Sequence, residues 1–112
     1  MKSITTKDLN QSLTLLIPHM KDDGEGGWRE EWKKGPRLWA LLWPLTSQEE
    51  HMKYTPPARF RVVIRAGINL PPRVGFDWHL YQRTKRLSVV SSPILIQNNL
   101  FLRMIAIETN HR

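Results

Sequence analysis

The sequence predicts an all-β protein, a small β-barrel or sandwich of six to seven short strands with one long projecting loop. Three observations predict it. Apolar runs are short and several alternate with polar residues; six Gly and eight Pro punctuate the chain at close intervals; and no stretch keeps a helical apolar period over an ordinary helix length. The 112 residues leave room for one domain, and a hydrophobic share of 40% suffices to build its core.

Residues 1–9 are polar and aperiodic, so 1–12 reads as a flexible N-terminal arm. A single β-barrel domain is expected over 13–108, with a loop at 45–57 and a C-terminal tail at 109–112. Residues 12–17 suit a first strand, stopped by Pro18. The cluster Lys21-Asp22-Asp23-Gly24-Glu25-Gly26-Gly27 reads as a hairpin turn or flexible loop, since its glycines supply positive φ. Segment 28–33 follows, and Gly35-Pro36 is expected to end it.

The spacings Trp28/Trp32 and Trp39/Trp43 invite a helix, because i and i+4 share a helix face. Only seven residues separate Pro36 from Pro44, however, so a buried strand is expected there. It places Trp39, Leu41 and Trp43 on one face and Leu38, Ala40 and Leu42 on the other. From 45 to 57 the chain turns polar, and Ser47-Gln48-Glu49-Glu50 resembles a capped helical turn before Pro56-Pro57 forbids its continuation. An insertion of this length in a compact β chain is usually reserved for function.

Residues 58–66 form the clearest strand: Phe60, Val62 and Ile64 alternate with Arg59, Arg61 and Arg65, and Val63 interrupts the basic row. Two further strands are expected at 74–81 and 87–91, on either side of a basic turn at 82–86. The last, 100–108, has Leu100, Leu102, Met104 and Ala106 on one face and Phe101, Arg103, Ile105 and Ile107 on the other. With both faces mostly apolar, it should lie centrally.

The absence of Cys excludes structural disulfides, thiolate zinc sites and cysteine nucleophiles. His19, His51, His79 and His111 are scattered without ligand spacing, and Asp22, Asp23 and Glu25 lack the alternation of a calcium loop. No catalytic serine motif, phosphate-binding loop or dinucleotide fingerprint occurs. The chain is therefore expected to be no enzyme and to use no metal and no cofactor. The longest uncharged apolar run, 38–45, is far short of the ~20 residues that cross a bilayer, so no membrane contact is expected and synthesis in the cytoplasm is the natural reading. The tryptophans are expected mainly in the core rather than as a base-stacking platform.

The net charge of +7 is unevenly placed. Residues 1–56 carry eight basic and eight acidic side chains, whereas 57–112 carry nine basic residues against Asp77 and Glu108. Such asymmetry concerns anionic partners and association, not fold.

In order along the chain, the 21–27 turn, Leu38-Trp39-Ala40, Pro44-Leu45 and Glu49-Glu50 resemble the head-tail joining family of tailed phages and phage-like gene transfer particles. Arg61-Val62-Val63-Ile64-Arg65 is similar to a strand of that family, Leu87-Ser88-Val89 to its late hydrophobic strand, and Leu100-Phe101-Leu102 through Glu108 to its terminal strand. The resemblance spans about 13–108. Two stretches depart from the pattern: Pro93-Ile94-Leu95-Ile96-Gln97-Asn98-Asn99 and Asp77-Trp78-His79-Leu80-Tyr81.

The resemblance implies a structural connector, a stopper or head-closure ring that extends and closes the DNA channel between capsid portal and tail. It implies a homo-oligomeric ring of six- or twelve-fold symmetry. The implied partners are a portal-side adaptor protein, a tail terminator or tail tube protein, and packaged DNA in transient contact. The location would be the head-tail junction of a virion or phage-like particle, after synthesis in the bacterial cytoplasm. The channel loop would comprise Thr46, Ser47, Gln48, Glu49, Glu50, His51, Met52, Lys53, Tyr54 and Thr55. Arg59, Arg61 and Arg65 would face a neighbouring subunit or DNA. The residues alone leave a second class open, a monomeric OB-like nucleic-acid-binding β-barrel using the basic second half.

Overall fold

A computed structural model describes residues 3–45 and 58–109. The expected channel loop, Thr46 to Thr55, and the end of the tail, 110–112, lie outside the described residues. Seven antiparallel strands form one sheet: β1 (Gln11–Asp22), β2 (Trp28–Leu45), β3 (Arg59–Arg65), β4 (Gly75–Leu80), β5 (Arg83–Val89), β6 (Ile94–Ile96) and β7 (Phe101–Thr109). The order is β3-β2-β1-β4-β5-β7-β6, and a further β3–β7 pairing closes six of the strands into an irregular barrel. β5 pairs with one end of β7 and the three-residue β6 with the other. The all-β expectation holds; among the described residues there is one 3-10 turn, Thr6–Asp8, and no α-helix.

The barrel interior follows from strand alternation. Leu13 and Leu15 of β1, Ala40 of β2, Phe60, Val62 and Ile64 of β3, Phe76 of β4, Leu87 of β5, and Met104 and Ala106 of β7 make one buried cluster. Large side chains stand beside small ones across the ladders, Ile64 opposite Ala40 and Phe60 opposite Ala106, so that neighbouring strands interdigitate. Phe60 also meets Trp78 edge-to-face at 5.3 Å, which fills the interior between the non-adjacent strands β3 and β4. As the alternation requires, Leu38 and Leu42 face this core while Trp39 and Trp43 point outward.

Three sequence expectations are corrected. Neither Pro18 nor Gly35-Pro36 ends a strand. β1 runs on to Asp22, and β2 runs unbroken for 18 residues. Between the pairs Thr14↔Arg37 and Leu16↔Lys34, Gly35 and Pro36 together oppose the single residue Leu15, so a β-bulge absorbs the Gly-Pro step. Both prolines lie where the ladder is one-sided, because β4 reaches only Ser12–Leu16 of β1 and β3 only Ala40–Leu45 of β2. The basic turn expected at 82–86 shrinks to Tyr81-Gln82, with Gln82 at φ 65° and Arg83 already in β5.

The third correction concerns the arm. Over its described part it is docked: Leu9 is 6% exposed and Ile4 packs nearby, against Val63 and Phe101. The Gln97 amide holds it, accepting from the Ile4 N–H at 2.6 Å and donating to the Ile4 carbonyl at 2.8 Å. Gln97 is placed by a β6–β7 turn in which Gln97, Asn98 and Asn99 take φ of 49°, 56° and 65°. That left-handed run suits Asn, whose short amide tolerates the region better than most side chains.

Candidate interaction face

β2, β3 and β7 share an outer face whose composition follows from their register. Arg59 stands between Leu45 and Ile107, Arg61 between Trp43 and Ile105, and Val63 between Leu41 and Arg103, with Arg65 opposite Phe101. The three arginines of β3 are exposed on one side of the strand, with Phe60, Val62 and Ile64 buried on the other. Val63, which interrupts the basic row, is the seat of the arm: it is 2% exposed under Leu9 and Ile4. Beside it a groove of about 650 Å³ opens, walled by Ile4, Leu41, Trp43, Ile96 and the side chains of Arg61 and Arg103. Asp8, the acid at its margin, is turned to the arm itself, accepting from the Thr5 N–H at 2.8 Å.

Trp39 and Trp43 are about 60% exposed on this face, and Trp28, at the other end of β2, rather more, so the expectation that the tryptophans are mainly core is overturned for these three. The i, i+2 spacing around Trp39 and Trp43 already placed them opposite Leu38 and Leu42. What sequence could not show is that the barrel lies on the leucine side. Among the described residues the ion pairs are Arg29–Glu31, Arg73–Glu30, Lys85–Glu108 and Arg86–Asp77, and none involves the arginines of this face.

A second feature stands at the far end of β2. Past Leu16↔Gly75, β1 and β2 continue as a two-stranded ribbon with no third strand beside it. Arg73 braces it through a bidentate pair with Glu30, at 2.5 and 2.7 Å. The turn is fastened by its own acids: Asp23 Oδ1 accepts from the Glu25 N–H at 2.7 Å and the Gly27 N–H at 3.0 Å, and Asp22 Oδ1 accepts from the Gly24 N–H at 2.9 Å. Gly24 and Gly26 take φ near 80°. The Glu25 and Gly27 N–H groups hold the Asp23 carboxyl below its ordinary value of 3.8.

A carboxyl whose pKa is lowered by folding stabilises the turn above its unfolded pKa, and that contribution disappears as pH falls through the folded pKa. The turn amides of Glu25 and Gly27 are therefore expected to stay protected at neutral pH and to lose protection only below the usual Asp range. Carbon-detected NMR titration of Asp23 checks this, and a midpoint at or above the ordinary value would contradict it.

The remaining buried polar groups are structural. Asp77 and Arg86 stand opposite each other on β4 and β5 with Nε to Oδ1 at 3.1 Å, and the Thr14 hydroxyl meets His79 Nε2 at 2.6 Å. Among the described residues no three His, Asp or Glu side chains converge to hold a metal ion.

No family model matches the chain, and no curated protein matches it. Solved structures do resemble it, among them the following two. The solution structure of protein SF1141 from Shigella flexneri 2a superposes with a TM-score of 0.70 at 18% identity, covering 93% of this chain and 96% of that one. A chain in the virion of a native gene transfer agent particle superposes with a TM-score of 0.59 at 24% identity, covering 90% of this chain and 96% of that one. The likeness is one of fold. It runs nearly end to end in both cases, so the ribbon and the barrel belong to a shared architecture.

Proposed function

We propose that this chain is a structural head-tail connector of a phage or phage-like gene transfer particle, a stopper or head-closure ring that extends and closes the DNA channel between portal and tail. What supports the reading most is the nearly full-length likeness in fold to a chain of a gene transfer agent virion. The ordered landmarks from the 21–27 turn to the terminal strand point the same way. So does the outer face, because Trp43 and Arg61 side by side are the residue types that dominate protein interfaces. In this reading the chain is a non-enzymatic member of a homo-oligomeric ring. It is held between a portal-side adaptor and a tail terminator or tail tube protein, and 46–55 is the segment that meets DNA in the channel.

Particles assembled without the chain are expected to lose packaged DNA or to remain tailless, scored by electron microscopy and by nuclease-resistant DNA. Tailed particles that retain DNA would overturn the proposal.

One observation favours a second reading, a monomeric nucleic-acid-binding barrel: Trp39 and Trp43 are exposed next to the basic strand β3. That reading expects a monomer that binds single-stranded DNA with strong salt dependence and loses most affinity on Trp43→Ala. Native mass spectrometry with and without partner proteins separates the two, since only the connector forms partner-dependent rings.

A further inference from the structure

We infer that the ribbon tip of one copy docks onto the β2–β3–β7 face of the next, so that the ring closes through a head-to-tail contact between copies of this chain. The inference rests on the ring reading above and adds the surfaces that make the ring. Cross-strand partners share a face, and the register puts Met20, Asp22, Trp28 and Glu30 on one side of the ribbon. Lys21 and Arg29 fall on the other. The first side is apolar and acidic at its tip: Met20 is 52% and Trp28 67% exposed, beside the carboxylate of Asp22 and next to Glu25 at the turn, while Glu30 farther down is already paired with Arg73. The outer face of β2, β3 and β7 is its complement, apolar and basic, with Arg61 and Arg103 flanking Trp43 and Leu41. Arg–carboxylate pairs at the margin of an apolar contact give orientation as well as attraction.

Geometry excludes the same contact within one copy. Trp28 and Trp43 stand at opposite ends of β2, up to about 50 Å apart along the strand at ~3.3 Å per residue. The longest dimension of the molecule is 54 Å. Two complementary surfaces at opposite ends of one chain make a heterologous contact, which generates a ring when the rotation closes. The tip is also stiff, its turn fastened by Asp23 and its stem by Arg73–Glu30, so little ordering is required on docking.

The chain has no Cys, which allows a clean cross-linking test. Full-length Glu25→Cys and Arg61→Cys proteins are mixed at high concentration under mild oxidant. The expected result is a mixed disulfide formed about tenfold faster than between Glu25→Cys and a Tyr81→Cys control on the β4–β5 turn, because docking raises the effective concentration. Added salt should slow it, and neither variant alone should cross-link as fast. In parallel, Asp22→Lys and Arg61→Glu are each expected to abolish ring incorporation on partner proteins, and both changes on one chain to restore part of it. Rings that form normally with Asp22→Lys, together with cross-linking no faster than the control, would overturn the inference and leave the ring reading standing. Fast mixed cross-linking that yields only open chains, on partner proteins as well, would uphold the contact and overturn the ring.

Discussion

Phe76→Ala is expected to lower stability by roughly 3–5 kcal/mol, the usual cost of emptying a buried aromatic site. Phe76 is fully buried, and its cross-strand neighbours on both sides, Leu15 and Leu87, are buried with it. The cavity therefore opens onto three strands. Collapse around it is hindered because β4 and β5 already approach closely beside it, where a Cβ on Gly75 would lie 2.9 Å from the Leu87 carbonyl oxygen. At about 4–8 °C per kcal/mol for a domain of this class, the melting temperature should fall by roughly 12–40 °C. Thermal unfolding followed by circular dichroism measures it. A drop of only a few degrees would mean that the barrel does not unfold as one core.

Replacing residues 46–55 by Asn-Gly is expected to leave the barrel folded, and under the connector proposal particles carrying the variant should lose DNA. The structural argument is the register at the ends of the connection: Leu45 and Arg59 are directly opposite each other, so a short turn can join β2 to β3. Closing a shorter loop costs less entropy, by about 0.6 kcal/mol for each halving, so the melting temperature should stay level or rise slightly. Retained DNA in such particles would remove the segment from channel closure. Failure of the variant to fold would make it part of the core instead.

The inward and outward sets of β2, β3 and β7 were legible because period-two alternation needs no partner to be read. Phe60, Val62 and Ile64 are buried and Arg59, Arg61 and Arg65 exposed, as their spacing requires. Strand ends are less legible because proline and glycine act as local punctuation only where the sheet lets them. Whether Pro18 or Pro36 breaks a strand depends on which neighbours that strand has, a property of the sheet. The arm was missed for a related reason. Ile4 and Leu9 are isolated apolar residues in a polar stretch, and their significance depends on Gln97 and Val63, which are remote in sequence and meet them only in the folded barrel. Gln97-Asn98-Asn99 stood out only as a departure from the family pattern, yet that turn places the amide that holds the arm.

The closed barrel and two prolines, Pro18 in the ribbon and Pro36 in the bulge at its base, together limit how this protein can pair with other chains through its backbone. Closure uses up most of the backbone ladder of the barrel strands, leaving the ribbon as a long stretch of open edge among the described residues. An unprotected β-edge of that length would invite another chain to add itself as a strand and propagate into a fibril. Along one edge Pro18 offers no donor and Lys21 brings a charge; along the other, Pro36 sits in a bulge with Lys33 and Lys34 beside it. An incoming strand finds its hydrogen bonds interrupted on either side. The free chain is therefore hindered from polymerising through its backbone, and any recognition at the ribbon is left to its side chains.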